Sequence, residues 1–201
     1  MKLSKTLLAV GALCASIGAN AQVAGSLGGG FGTFLQLSSA GLSGGSVATR
    51  TGGTVYTADL PFADIPAGVI FGGNFLAAGP TSGAPATLSF TGGGLDYISF
   101  LWGSPDTYNV LTVTSTAGTQ TFTTATLGFL VSNGDQGFSQ YVQFAGVAGS
   151  KILSLNFNNL PQTDAFETAN YSITPVPEPQ TYALLLAGLG AVGFIARRRR
   201  G

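Results

Sequence analysis

Acidic side chains are the main carriers of chemistry between residues 22 and 175: Asp59, Asp64, Asp96, Asp106, Asp135, Asp164 and Glu167. Two carboxyls held on one concave face suffice for general acid–base hydrolysis of a glycosidic bond. The same groups are hard oxygen ligands suited to calcium. None of the seven sits in an Asp-x-Asp-x-Asp-Gly loop, and no spacing selects a pair. Asn133-Gly134-Asp135 is the best local fragment for an ion, and it equally reads as a turn. The expectation is therefore no cofactor and no catalytic residue, with calcium as the one ion the composition suits.

Missing residue types exclude more. The 201-residue chain has no histidine, and its one cysteine is Cys14. Ser-His-Asp and Cys-His nucleophile systems and His-based zinc sites cannot be built from it. Lys151, at the start of a strand-like run, is the one lysine available to activate a serine, and it reads as solvated. Gly28-Gly29-Gly30-Phe31-Gly32 precedes no helix and carries no lysine, so it is not a phosphate loop. Of the eight basic residues only Arg50 and Lys151 fall between 22 and 175, against seven acids, a charge of −5. Such a surface has no footprint for nucleic acid. The reading is non-enzymatic.

The elements that must hold these residues read as all-β. Short β-branched and aromatic runs alternate with Gly52-Gly53, Gly92-Gly93-Gly94, Ala117-Gly118 and Asn133-Gly134. In Lys151–Phe157 the alternation places Leu153, Leu155 and Phe157 on one face and Ser154 and Asn156 on the other. Phe138, Gln140, Val142 and Phe144 repeat it more roughly, and Tyr97–Trp102 is apolar enough for an interior strand. Further strands are predicted at Thr33–Leu37, Thr54–Thr57, Ala86–Phe90, Thr107–Thr114, Thr119–Ala125 and Ala165–Ile173. About nine strands with frequent turns predict an antiparallel β-sandwich of jelly-roll type over 22–173. From Ala24 to Gly53 glycine is dense and the apolar pattern thin, as in a loose segment or a sheet edge.

The two ends differ from this domain. Lys2 and Lys5, the apolar run Leu7–Ile17 and Ala19-Asn20-Ala21 follow the order of a signal peptide over 1–21, with signal peptidase cutting after Ala21 to expose Gln22. Cys14 follows Leu13, not the small residue of a lipobox, and belongs to the apolar helix. At the other end, a linker over 174–180 contains Val176, Pro177, Glu178 and Pro179. The prolines hold it extended, the form in which processing enzymes read a peptide. The uncharged run Thr181–Ala196 is predicted as a transmembrane helix. Arg197, Arg198, Arg199 and Arg200, within a basic cytoplasmic tail over 197–201, stop transfer on the cytoplasmic side. Sixteen residues span roughly 24 Å at about 1.5 Å each, short of the ~30 Å hydrocarbon core.

Pro-Glu-Pro, a short apolar helix and a basic cluster, in that order, resemble the PEP-CTERM sorting domain of exported bacterial proteins. The resemblance implies a Gram-negative, polysaccharide-producing bacterium and a precursor held in the inner membrane. It further implies cutting by exosortase near Pro177–Pro179 and transfer to the cell surface or extracellular matrix. A non-enzymatic envelope or biofilm protein, in contact with exopolysaccharide, is the leading expectation. The alternative is a secreted carbohydrate-binding module or carboxylate-dependent glycosidase carrying the same tail. Leu101–Asn109, with the only Trp, resembles a segment of some PEP-CTERM surface proteins. Its functional reading is an aromatic sugar platform, and its structural reading a buried Trp before a proline turn. Asn170-Tyr171-Ser172 matches a glycosylation sequon but lies in the last predicted strand, and the Ser/Thr-rich run Thr112–Thr126 reads as strand before it reads as an O-glycan acceptor.

Overall fold

The computed structural model describes residues 22–173 and 188–189. The expected signal peptide over 1–21, the Val176–Pro179 motif, the apolar run Thr181–Ala196 (apart from residues 188 and 189) and the arginine cluster lie outside the described residues. Among the described residues no helix is long and apolar enough to cross a membrane.

Besides two 3-10 turns (Ser43–Gly45 and Phe71–Gly73), fourteen strands and one short α-helix follow in order among the described residues: β1 (Val23–Leu27), β2 (Thr33–Phe34), β3 (Leu37–Ser38), β4 (Gly41–Leu42), β5 (Ala48–Thr51), β6 (Thr54–Tyr56), β7 (Phe75–Ala78), β8 (Ala86–Phe90), β9 (Tyr97–Gly103), β10 (Asn109–Ser115), β11 (Gly118–Thr123), α1 (Thr124–Leu127), β12 (Ser139–Gly146), β13 (Ile152–Asn159) and β14 (Phe166–Ile173). They form two antiparallel sheets, a β-sandwich. One runs β1-β12-β9-β14-β7-β6, with β2 added on β14; the other runs β11-β10-β13-β8-β5-β4-β3. From β7 onward the chain changes sheet at almost every connection, giving β7-β14-β9-β12 opposite β8-β13-β10-β11. Only β10 and β11 are joined as a hairpin within this set, in register from Val110↔Thr123 to Ser115↔Gly118.

Aromatic rings from both sheets bind the layers. Phe100 of β9 meets Phe157 of β13 edge-on at 5.5 Å, Phe157 meets Phe166 of β14 at 5.2 Å, and Phe122 of β11 meets Phe144 of β12 at 5.0 Å. Each buries a large apolar surface and adds about 0.5–1.5 kcal/mol through ring geometry. β9 is buried on both faces, Ile98, Phe100 and Trp102 toward the core, and Ser99 and Gly103 beneath Gly29 and Pro66.

Several expectations need correction. In β13 the core-facing residues are Ile152, Leu155 and Phe157, and Leu153 is half-buried. Thr114 pairs with Ser154 but Ser115 with Ile152, so Leu153 is the extra residue of a β-bulge and the alternation changes phase there. The strand expected over Thr119–Ala125 stops at Thr123, whose hydroxyl accepts from the Thr126 N–H while the Thr126 hydroxyl accepts from the Thr123 N–H. This capping box starts α1, one turn closed by Gly128 in the left-handed conformation. Thr33–Leu37 is not one strand: β2 joins one sheet and β3 the other. β7, unforeseen in the sequence, is wholly buried as Phe-Leu-Ala-Ala. The glycine-dense N-terminal part is sheet edge, β1 closing one sheet and β3 the other.

Candidate functional site

At one end of the sandwich, where β9 leaves its sheet and β10 and β14 begin, a cleft of about 280 Å³ opens. It gathers Asp64, Asp106, Asp164 and Glu167, four of the domain's seven acids, with Ser104, Tyr108, Asn133, Gln136 and Phe62. Asp59, Asp96 and Asp135 lie outside its lining. No lysine or arginine lines it.

Each wall has a local cause. The Asp59 carboxylate accepts the Ile65 N–H at 2.7 Å, and Leu60 and Ala63 exchange backbone hydrogen bonds, folding the loop that carries Phe62 and Asp64. Pro66 then seats against Gly103, where an added Cβ would lie 2.7 Å from the proline ring. The Gly134 N–H donates to Pro105 O at 3.2 Å, bringing Asn133 and Gln136 over Asp106. Gly134 has φ +72°, and a Cβ there would come 3.0 Å from the Asp106 carboxylate.

Beneath the cleft lies a buried amide network. Asn109 Oδ1 accepts from Trp102 Nε1 at 3.2 Å and from the Asp106 N–H at 2.7 Å. Asn109 Nδ2 donates to Asn159 Oδ1 at 3.0 Å, and Asn159 Nδ2 donates to Ala78 O at 3.0 Å. Trp102 is fully buried and stacks on Phe166 at 4.2 Å. The sugar-platform reading of Trp102 is thereby overturned: the ring belongs to the core.

Glu167, near the start of β14, pairs with Gly103 and Ala77 and is 3% exposed. Its Oε2 and the Oγ of Ser104, which is 5% exposed, have no hydrogen-bond partner. Burial pushes the Glu167 carboxyl up to about 9; the Asp64 and Glu167 backbone N–H groups pull against this, and the Asp64 and Asp106 charges reinforce it. Burial, then the charge of Asp59, also raises Asp64. The Tyr108 hydroxyl donates to Asp164 O at 2.9 Å and is raised by burial and by Asp106. Asp164 is turned outward, accepting from Thr81 Oγ1 at 2.6 Å and from the Thr81 N–H at 3.1 Å.

The acids therefore converge on one cleft, but among the described residues no three His, Cys, Asp or Glu side chains are grouped to hold a metal ion. Lys151 is spent on an exposed ion pair with Asp96 at 2.7 Å. Asn170 of the sequon is 4% exposed and donates to Gly68 O and Tyr141 Oη, both at 2.9 Å, so it is a structural amide. Sequence spacing missed the cleft because its members come from four separated segments. Nothing in the sequence singled out Glu167, because the same strand also carries the polar Thr168, Asn170 and Ser172.

Residues 175–200 match the family model of the PEP-CTERM protein-sorting motif. The described domain is thus an antiparallel β-sandwich, and the segment that follows it is the tail of a PEP-CTERM domain-containing exosortase substrate, an exported protein sorted to the cell envelope. No curated protein and no solved structure matches the chain.

Proposed function

We propose that this chain is a non-enzymatic surface or matrix protein of a Gram-negative envelope. Its jelly-roll sandwich would be delivered outside the cell by two successive processing steps. Signal peptidase removes 1–21 and leaves Gln22. Exosortase then acts at Val176-Pro177-Glu178-Pro179 while Thr181–Ala196 sits in the inner membrane and Arg197–Arg200 remain in the cytoplasm. The released domain takes its place among exopolysaccharide, as in a biofilm.

The observation that carries this reading is the sorting motif over 175–200, two residues beyond the end of β14 at Ile173. Sheet pairing of the last strand reaches Ile173, ahead of the motif, so a cut at the motif leaves every paired strand on the released domain. The absence of histidine and the surface pairing of Lys151 support a non-enzymatic domain. Mass spectrometry of surface-extracted protein tests the sorting step. Loss of the peptide Thr181–Arg197 from mature material is expected; its retention would make the tail a permanent anchor.

A further inference from the structure

The cleft at the end of the sandwich carries features that sorting does not use. Two polar atoms on its floor, Glu167 Oε2 and Ser104 Oγ, are buried without a partner, a desolvation cost that stands unless something reaches them. Unpaired polar groups at the base of a preformed cavity, rather than in the core, are where a ligand's hydrogen bonds are best repaid. An unsatisfied acid among acids would ordinarily suggest a cation. The acids here are spread over separate walls, and no three of them are grouped for a single ion. Asp164 is already held by Thr81.

An anionic ligand fits no better, because four carboxyl groups and no cationic side chain line the cavity. What remains is a ligand that is uncharged and offers many hydroxyls, each able to donate and to accept. The lining matches it. The carboxylates accept, the exposed Asn133 and Gln136 do both, and Ser104 needs a partner. Phe62 and Tyr108 show little ring surface to a lining that is almost wholly polar, so the ligand's hydroxyls rather than a ring face must carry the contact.

We propose that this cleft binds a neutral oligosaccharide through the ligand's hydroxyl groups, with Glu167 and Ser104 on its floor and Asn133 and Gln136 at its rim. A buried Glu167 held in its protonated form donates to a ligand oxygen, and this also removes the charge that would otherwise oppose burial. Sorting by the tail and binding by the cleft are separable properties, and either can fail alone.

The test uses the full chain in a phosphocholine-headed detergent, free of sugar headgroups. Cellohexaose, xylohexaose, mannohexaose and maltohexaose are titrated by calorimetry and saturation-transfer NMR, with trigalacturonate and terbium as controls. At least one neutral hexasaccharide is expected to bind, and the double variant Asn133→Ala/Gln136→Ala to weaken it at least tenfold. Both residues are exposed, so the fold does not depend on them. Glu167→Gln, which keeps a donor and an acceptor, should bind within threefold of wild type, and Glu167→Ala should not. The proposal is overturned if no neutral hexasaccharide binds at millimolar concentration, or if the rim variant binds unchanged. Trigalacturonate binding as tightly as the neutral sugars would overturn it too, as would terbium luminescence that is lost in Glu167→Gln, which would mark a cation site.

Discussion

The Trp102 indole N–H donates to Asn109 Oδ1 at 3.2 Å, joining the end of β9 in one sheet to the start of β10 in the other. The two lie seven positions apart in the sequence, and Ser104, Asp106 and Tyr108 all belong to the connection between them. The same Oδ1 takes the Asp106 N–H, so one buried amide sets both the depth of the tryptophan and the path of the cleft wall. Through Asn159 the network reaches Ala78 at the end of β7, so three connections at this end of the sandwich share one polar anchor.

Replacing Asn109 with Ala is therefore expected to be costly. It leaves Trp102 Nε1, the Asp106 N–H and Asn159 Oδ1 without their buried partner. Each such loss is worth about 1–3 kcal/mol, and relaxation will recover part, so destabilisation of about 2–4 kcal/mol is expected in urea unfolding. A change below about 1 kcal/mol would mean that the network does not anchor this end.

The bulge in β13 makes a second, opposite pair of expectations. Ile152→Ala should cost about 2–5 kcal/mol, because Ile152 is fully buried in the core. Leu153→Ala should cost under about 1 kcal/mol, because the bulge turns Leu153 to the half-exposed face beside Gly94. Simple alternation from Leu155 predicts the reverse order. Chemical denaturation of the two variants separates these readings.

How far the fold was legible follows from these same elements. Ala86–Phe90 matches β8 residue for residue, and Tyr97–Trp102 and the hairpin around Ala117-Gly118 were visible, because period-2 burial and turn glycines act locally. The phase change at Leu153 was not visible, since it depends on which residue of β10 stands opposite. β7 escaped notice because Phe75–Ala78 is a short, wholly apolar run without alternation. The cleft was less legible still. Asp64, Asp106 and Glu167 meet only because β9 and β14 are neighbours and the loops over 59–66 and 131–136 fold onto the same end. The sorting motif, by contrast, was readable outright, because its extended peptide, apolar run and charges are contiguous.

The Glu167 carboxyl gives the domain a pH dependence of definite sign. Its folded value, about 9, lies above the ordinary 4.5, so between these limits the folded state holds a proton that the unfolded state has released. Stability from this group is full below about pH 4.5 and falls as pH rises toward 9. Asp64, also raised, acts in the same direction. Glu167→Gln should flatten the decline and raise stability at pH 8 by at least about 1 kcal/mol. Urea midpoints for wild type and variant from pH 4 to 9 check this; parallel curves would show that Glu167 is charged when folded.

The tail offers the most direct genetic prediction. On the proposed reading the 16 uncharged residues Thr181–Ala196 would span about 24 Å as a helix, against a ~30 Å hydrocarbon core. Tyr182 at the interface and snorkelling arginines can close the gap, at a modest cost in free energy. A span of this kind suits a substrate held until it is cut better than it suits permanent anchorage. On the proposed reading Pro177 and Pro179 would keep the preceding peptide extended for the processing enzyme, and Glu178 between them is the one charged residue of the sequence 174–196. Glu178→Ala should leave the sandwich unaltered and accumulate a precursor in the inner membrane that already begins at Gln22 but still carries Thr181–Arg197. Wild type should yield surface material lacking that peptide. Fractionation followed by terminal mass spectrometry distinguishes the two. Equal processing of wild type and Glu178→Ala would show that the acid between the prolines is not what the processing enzyme reads.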